Sequence, residues 1–204
     1  MTTAMETLEN VDSAQLEGLH RALEDSAARD GLLDAAYRTL DTPIGNLLIA
    51  ATDRGVVRVA FASEGHDAVL DALATRLGSR ILRMTSTRGV GGELDAAARE
   101  LDEYFAGRRT AFDLPLDLSL ATGFRRTVLG HLREIAYGST ESYAQVAEAA
   151  GSPRAVRAVG SACATNPLPV IVPCHRVLRS DGSLGGYLGG LEAKRALLAL
   201  EAAA

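Results

Sequence analysis

The sequence predicts an α+β protein of two domains: a small N-terminal α/β domain with an antiparallel sheet, followed by a helical C-terminal domain. Residues 37–61 contain short runs typical of strands with turn-forming residues between them, whereas the apolar residues of 122–163 recur at helical spacing. The length of 204 residues fits one domain or two small ones, and an apolar content of 47% is ample for a core. We expect three segments: a helical extension over 1–35, an N-terminal domain over 36–120 and a C-terminal domain over 121–204.

The N-terminal half begins with a predicted helix over residues 12–35. Asp12 can cap it, and Leu16, Leu19 and Leu23 recur at helical spacing. Three short strands follow, separated by the turn sequences Thr-Pro-Ile-Gly and Thr-Asp-Arg-Gly. The predicted strands are Tyr37–Leu40, Asn46–Ala51 and Val56–Phe61.

The rest of this half contains two further predicted helices. Apolar residues at helical spacing place them around residues 70–77 and 94–105, with a candidate strand at Arg80–Arg83 between them. Residues 112–118 alternate between apolar and other residues, as in an extended segment. The pattern is that of a small α+β domain that ends near Leu120.

The C-terminal half is predicted to be helical. Thr122 can cap a first helix, and Ser142 can cap a short second helix that ends at Gly151. Ser152 is then expected at the cap of a third helix, with Pro153 in its first turn. Two helices joined by Gly-Ser are a candidate helix-turn-helix, but an ordinary helical hairpin is the alternative, and the spacing alone favours the hairpin.

The composition restricts the classes of function. The net charge of −5 argues at first sight against nucleic acid, but residues 1–118 carry 12 basic against 20 acidic side chains, and residues 119–204 carry 9 against 6. This distribution is compatible with DNA contact through the second half alone, with few phosphate contacts. Strictly apolar runs reach only about five residues, far short of the ~20 of a membrane span.

The N-terminal sequence and the two cysteines indicate the cellular compartment. The first residues are acidic and lead into no long apolar segment, so we expect no secretory signal. Cys163 and Cys174 form neither a disulfide framework nor a zinc site. We therefore expect a reducing, cytoplasmic environment.

The sequence Pro-Cys-His-Arg-Val at residues 173–177 is the most informative motif. It follows the apolar run 169–172, which we interpret as a buried extended segment. A free thiol has a pKa of ~8.5 and needs a basic neighbour to become a nucleophile. Adjacent residues of an extended chain point to opposite faces, so His175 reaches Cys174 only if the chain turns, which Pro173 favours. A Cys-His pair alone is more often packing than catalysis.

The residues around this motif resemble the C-terminal domain of the O6-alkylguanine-DNA alkyltransferases. The matching blocks, in order, are Arg157-Ala-Val-Gly160, Asn166-Pro167, Val172-Pro-Cys-His-Arg-Val177, Gly186-Tyr187 and Gly189-Gly190-Leu191. Weaker similarity to that family's N-terminal domain lies at Thr42-Pro-Ile-Gly45, Leu47–Ala51 and Leu101–Gly107. Residues 1–35 resemble no part of it.

The resemblance implies a helix-turn-helix of the winged-helix type and direct repair of DNA. Such a protein flips the damaged nucleotide out of the duplex and moves the alkyl group irreversibly from O6 of guanine, and from O4 of thymine, to its own cysteine. It is a single-turnover methyltransferase that works without a cofactor. The implied partner is double-stranded DNA containing O6-alkylguanine, and we expect a monomer with no membrane association.

The resemblance also assigns roles. Cys174 is the nucleophile, His175 takes the thiol proton through a water, and Glu201 orients His175. Asn166 and Arg176 support the active-site turn. Cys163 is interpreted as a small buried apolar residue, and without the resemblance Glu201 is a solvated residue in a last helical turn.

The remaining implied roles concern the base and the DNA. Tyr143 lies near the guanine and can donate a hydrogen bond to the leaving base. The substrate pocket is assigned to Tyr187, Leu188, Val177 and Arg176, with the backbone N–H of Leu188 on O6 and the carbonyls of Cys174 and Val177 on the exocyclic amine. The DNA contacts are assigned to Arg157, which fills the gap left by the flipped nucleotide, and to Tyr143, Ala144, Ser152 and Ser180.

Two other functions remain open from the residues themselves. One is a binder of alkylated DNA that does not repair it, similar to the alkyltransferase-like proteins. Those proteins generally lack the nucleophilic cysteine, so Cys174 counts against this function. The other is a cysteine hydrolase that uses Cys174, His175 and Glu201.

Overall fold

A computed structural model describes residues 13–84 and 90–203 of the chain. The predicted cap at Asp12 lies outside the described residues. The elements are, in chain order, α1 (Ser13–Arg29), β1 (Ala35–Thr42), β2 (Gly45–Thr52), β3 (Gly55–Phe61), α2 (His66–Leu77), β4 (Ile81–Arg83), α3 (Val90–Phe105), α4 (Gly123–Leu132), β5 (Glu141–Ser142), α5 (Tyr143–Ala149), α6 (Val156–Ala164), β6 (Val177–Leu178) and α7 (Gly190–Ala202). Short 3-10 turns lie at Ala62–Glu64, Leu118–Leu120 and Cys174–Arg176.

The N-terminal domain is a sheet of four strands in the order β3-β2-β1-β4. The predicted antiparallel arrangement is confirmed for β1, β2 and β3, and the short β4 adds to β1 in parallel. Helix α3 covers one face of the sheet through Leu94 and Leu101, and α2 covers the other face through Val69 and Leu73. Both faces of β2 and β3 are therefore buried, which explains their nearly continuous apolar sequences.

Helix α1 ends at Arg29, earlier than the predicted residue 35. Its leucines do recur at helical spacing, but Leu16, Leu19 and Leu23 are each more than half exposed. The helix is instead fixed to the domain through His20, whose Nε2 lies 2.9 Å from the carbonyl oxygen of Arg83 and 3.0 Å from the Glu24 carboxylate. The apolar spacing thus predicted the helix but not its buried face.

The C-terminal domain packs α4, α5, α6 and α7 into one core that is continuous with the core beneath the sheet. Ser142 caps α5 as predicted: its hydroxyl accepts a hydrogen bond from the Gln145 N–H, and the Gln145 side chain accepts one from the Ser142 N–H. Helices α5 and α6 pack on each other and on α4, in the helix-turn-helix arrangement. Two-residue strands β5 and β6 pair in parallel, so the start of α5 lies beside the chain that follows Cys174.

The expected start of the third helix was wrong. Helix α6 begins at Val156 with Ala155 at its cap, and Ser152 is not a cap. The carbonyl of Ser152 accepts a hydrogen bond from the Ala155 N–H at 2.8 Å, which closes a turn with Pro153 in its second position. Proline has a φ that suits this turn position as well as the first turn of a helix, so the sequence could not distinguish the two.

The apolar run 169–172 is buried, but the expectation that it is extended was wrong. The Val172 N–H donates to the Leu168 carbonyl at 2.7 Å, and Val170 adopts a φ of +74°. A β-branched residue rarely takes a positive φ, and such a conformation costs about 1–3 kcal/mol. The chain is therefore coiled into tight turns just before Cys174, held by the packing of Val170, which is only 1% exposed.

Candidate active site

Cys174 begins a 3-10 turn after Pro173, so the chain turns at the cysteine as predicted. Its thiol is 2% exposed, and Sγ accepts a hydrogen bond from Asn166 Nδ2 at 3.1 Å. The same nitrogen donates to the Val172 carbonyl at 2.8 Å, and Asn166 Oδ1 accepts from the Leu168 N–H at 3.0 Å. One buried amide therefore fixes both the turns that precede the cysteine and the thiol itself.

His175 and Arg176 point from the same turn toward Glu201 in the last turn of α7. Nε2 of His175 lies 2.8 Å from Glu201 Oε1, and the Arg176 guanidinium donates to both carboxylate oxygens at 2.9 Å. Glu201 is 3% exposed, so it is not the solvated residue that its position in the sequence suggests. A carboxylate on Nε2 makes that nitrogen the protonated one, which leaves Nδ1 as the acceptor.

The free nitrogen of His175 is Nδ1, which is buried and has no hydrogen-bond partner among the described residues. In the same part of the molecule, no hydrogen bond joins His175 directly to the Cys174 thiol. Any proton transfer between them thus needs an intermediary such as a water molecule. The geometry brings Cys174, Asn166, His175, Arg176 and Glu201 together, and the roles that the resemblance assigns to them stay predictions.

Tyr104 is a member of this network that sequence reasoning missed. It is fully buried on α3, and its hydroxyl donates to Glu201 Oε1 at 2.7 Å. The Gly138 N–H also donates to Glu201, at 3.2 Å. A signal was available, because Tyr104 lies on the apolar stripe of α3 with Leu94 and Leu101, and a buried tyrosine hydroxyl usually has a partner.

Lys194 was also missed. This residue of α7 is fully buried, and its Nζ donates to the Val177 carbonyl at 2.7 Å. Burial lowers the pKa of Lys194, and the charge interacts with the thiols of Cys174 and Cys163. The sequence could have indicated this burial, because a lysine seven residues before Glu201 on one helix lies on the same buried face.

Burial sets the direction of the pKa shifts of Cys174 and His175, whereas hydrogen bonds set that of Glu201. Burial raises the pKa of the Cys174 thiol to about 11, although the hydrogen bond from Asn166 and the charge of Lys194 lower it in part. Burial also lowers the pKa of His175 despite the opposing effect of Glu201. Burial alone would raise the pKa of Glu201, but the hydrogen bonds from His175 and Arg176 prevail and lower it to about 2. At neutral pH the site therefore holds a thiol, a neutral imidazole and a carboxylate.

Cys163 lies in the same buried region, on the inner face of α6. Burial raises the pKa of its thiol to about 12, and the sequence-distant Cys174 and Lys194 interact with it electrostatically. No hydrogen bond comparable to that of Asn166 reaches its sulfur among the described residues. The interpretation as a small buried residue agrees with this environment.

The two tyrosines assigned to the substrate flank the turn. The Tyr143 ring lies against Gly185, where an added Cβ would come within 2.3 Å of the hydroxyl oxygen. Burial raises the pKa of Tyr143, so its hydroxyl stays a donor. The Tyr187 ring lies edge-on to the His175 ring, with centroids 6.3 Å apart.

Two residues assigned to the pocket have other contacts in the structure. The Val177 carbonyl already accepts from Lys194, and Leu188 lines a separate cavity of about 440 Å³ together with Arg58 and Pro167. A carbonyl has a second lone pair, and the assigned role of Leu188 uses its backbone N–H, so both assignments remain predictions.

The residues assigned to DNA lie at the surface of the helix-turn-helix and near the active-site turn. Ala144, Arg157 and Ser180 are exposed, and Ser152 is half-buried in the turn before α6. Ser152 is not at a helix N-terminus, because the cap of α6 is Ala155, and its assigned contact with DNA stays a prediction. Among the described residues, no cluster of side chains suits a metal ion and no helix is long and apolar enough to cross a membrane.

Two family models match the chain. Residues 35–118 match the model described as 6-O-methylguanine DNA methyltransferase, ribonuclease-like domain, and residues 123–203 match the model of the DNA binding domain of the same proteins. The chain is similar to the methylated-DNA–protein-cysteine methyltransferase of Mycobacterium tuberculosis, at 42% identity over 165 residues, 81% of this chain and 91% of that protein. It is 40% identical to the constitutive enzyme of that name from Bacillus subtilis, over 81% of this chain and 94% of that protein.

Solved structures agree with the sequence matches. A crystal structure of Mycobacterium tuberculosis OGT in complex with DNA superposes with a TM-score of 0.70 at 38% identity, covering 82% of this chain and 93% of that one. Both domains of the fold are thus shared with proteins that carry this name. The chain belongs to the methylated-DNA–protein-cysteine methyltransferase family.

Proposed function

We propose that this protein repairs DNA by transferring an alkyl group from O6 of guanine, and from O4 of thymine, to Cys174. The observation that carries the proposal is the buried thiol held by Asn166 beside a His175–Glu201 pair. The names of the relatives support transfer over the alternative of a binder that does not repair. The reaction needs a free thiol, so we also propose a reducing, cytoplasmic location.

The proposed reaction is a displacement at the alkyl carbon. The thiol proton passes through a water to Nδ1 of His175, and Glu201 stabilises the imidazolium that forms. The thiolate then attacks the alkyl carbon, so that an S–C bond forms as the C–O6 bond breaks. The bonding electron pair stays on the guanine, which takes a proton from the Tyr143 hydroxyl, and the tyrosinate regains a proton from the His175 imidazolium through solvent. The thioether is stable, and each molecule therefore acts once.

The pKa shifts of Cys174 and His175 support a mechanism in which the thiol is deprotonated only during the reaction. A thiol with a pKa of about 11 is protonated at neutral pH, so a permanent thiolate is not the resting state. A neutral His175 can accept the proton, and the carboxylate of Glu201 compensates the new positive charge. General-base assistance of this kind contributes ~10²–10⁴-fold in rate.

The remaining assignments complete the proposal. Tyr187 walls the base, the Leu188 N–H holds O6, and the carbonyls of Cys174 and Val177 bind the exocyclic amine. Arg157 fills the gap left by the flipped nucleotide. Flipping itself costs a few kcal/mol, which DNA contacts at Ala144, Ser152 and Ser180 help to offset.

Mass spectrometry tests the proposal. Incubation with duplex DNA containing O6-methylguanine should add one methyl group to the peptide with Cys174 and none to the peptide with Cys163. Cys174→Ser should lose all transfer, whereas Cys163→Ser is the matched control and should retain it. Turnover without a permanent adduct would identify a hydrolase, and binding without an adduct would identify a non-repairing binder.

A further inference from the structure

Strand β3 of the N-terminal domain ends beside the active-site turn, at Phe61. This side chain is 3% exposed, and its ring packs edge-on against Tyr187 with centroids 5.7 Å apart and an interplanar angle of 72°. Tyr187 in turn lies edge-on to His175. Tyr187 thus contacts the Phe61 ring and the His175 ring.

The Phe61 ring also lies directly on the backbone of Gly189. A Cβ added to Gly189 would stand 2.4, 2.5 and 2.7 Å from three carbons of the ring, closer than real Cβ contacts allow. Gly189 has a φ of −81° and a ψ of 8°, a conformation open to any residue. Glycine is thus required there for space and not for backbone conformation.

The backbone of Phe61 is held by several contacts, and its ring is buried against Tyr187. Its N–H donates to Glu64 Oε1 at 2.8 Å, and Glu64 forms an ion pair with Arg58 in which both side chains are about 15% exposed. Val59, two residues earlier in β3, donates its N–H to the Pro167 carbonyl at 2.8 Å. These contacts tie the end of β3 to the turns that carry Asn166.

We propose that Phe61 is a positioning residue that sets the width of the alkyl pocket. It does so by holding the ring of Tyr187 and the backbone of Gly189 in place. The size of the O6 substituent that the thiol can reach then depends on an N-terminal-domain side chain that touches neither the base nor the DNA. This inference rests on the proposed alkyl transfer to Cys174.

In a densely packed interior, a change in the volume of one side chain shifts its neighbours. Replacing the buried Phe61 by leucine leaves space that its neighbours fill in part. The Tyr187 ring can then move toward position 61 and away from Cys174. An added methyl at Gly189 has the opposite effect, because it pushes the segment away from the fixed ring and toward the thiol. The first change widens the pocket and the second narrows it.

The test measures transfer from duplexes that carry O6-methylguanine or O6-benzylguanine at the same position. Phe61→Leu should raise the ratio of benzyl to methyl transfer rates at least fivefold, and Gly189→Ala should lower it by a similar factor. The double variant should return the ratio to within twofold of wild type, since the two residues are in contact and their effects couple. Phe124→Leu, at a partly buried phenylalanine in α4, is the control for general loss of packing and should leave the ratio unchanged.

The outcomes separate this inference from the proposed function. Absence of transfer by the wild-type protein would sink the proposed function. Normal wild-type transfer combined with equal losses on both substrates in Phe61→Leu would overturn the positioning role and leave Phe61 as general support. If Phe61→Leu does not fold, Phe61→Met and Gly189→Ala decide the matter, and an unchanged ratio in Gly189→Ala overturns the inference by itself.

Discussion

Replacement of Glu201 by glutamine should destabilise the whole protein as well as slow alkyl transfer. Five donor groups converge on the carboxylate: His175 Nε2, two nitrogens of Arg176, the Tyr104 hydroxyl and the Gly138 N–H. Glutamine keeps one acceptor oxygen and places an NH₂ group among these donors. The Arg176 guanidinium then loses its buried counter-charge.

Two lines of physical reasoning give a similar loss in the free energy of unfolding for Glu201→Gln. Breaking a buried ion pair by removing one partner costs about 3–5 kcal/mol. Independently, the pKa of Glu201 is held at about 2 against an ordinary 4.5, and at ~1.36 kcal/mol per pKa unit this corresponds to about 3 kcal/mol. For a chain of this length such a loss lowers Tm by about 6–20 °C.

The assay is urea unfolding of the wild type, Glu201→Gln and Tyr104→Phe. Tyr104→Phe removes one donor and leaves the charge, so it should cost only ~1.5–3 kcal/mol. The pH dependence gives a second readout. Because the folded-state pKa of Glu201 is the lower one, its stabilisation is present above about pH 4.5 and is lost as the pH falls toward 2. A free energy of unfolding for Glu201→Gln within 1 kcal/mol of wild type, roughly a single neutral hydrogen bond, would refute this reasoning.

Three further predictions concern the thiol and the DNA. Lys194→Met should raise the pKa of Cys174 and slow its reaction with iodoacetamide at pH 8, because a buried cation that favours the thiolate is lost; an unchanged titration curve would remove Lys194 from thiol activation. Arg157→Ala should weaken binding and transfer on duplex DNA while free O6-benzylguanine, which needs no flipping, reacts almost normally; equal losses on both would assign Arg157 to the fold. The log affinity for DNA should fall with log salt by ~0.9 per phosphate contact, with about three to five contacts in total, and a slope near eight would contradict the small basic surface.

The elements that the sequence predicted correctly are those that depend on nearby residues. The strands β1, β2 and β3 were recognisable from short β-type runs between turn sequences, and the cap of α5 from Ser142 and its neighbours. The start of α6 was missed because Pro153 suits a turn and a helix alike. The segment 169–172 was missed because an apolar run reveals burial but not the coiling that Val170 adopts at positive φ.

In the active site, too, residues in a local motif were recognisable and residues that depend on distant partners were not. Cys174 and His175 were recognisable in a contiguous motif, whereas Glu201 looks locally like a solvated residue in a last turn. Its buried partner Tyr104 lies 97 positions away in the chain, and Lys194 on the same helix is buried as well. Such partners become visible only when the tertiary structure brings distant elements together.

The separation of His175 and Glu201 along the chain has a consequence for the timing of synthesis. Glu201 follows His175 by 26 residues, and at ~5–20 residues per second a ribosome needs roughly 1–5 s to add them. During that interval the nascent chain already contains Cys174 and His175 but not the carboxylate that is proposed to support the histidine. The proton transfer proposed for Cys174, which needs His175 supported by Glu201, therefore becomes possible only after α7 has been made and has docked.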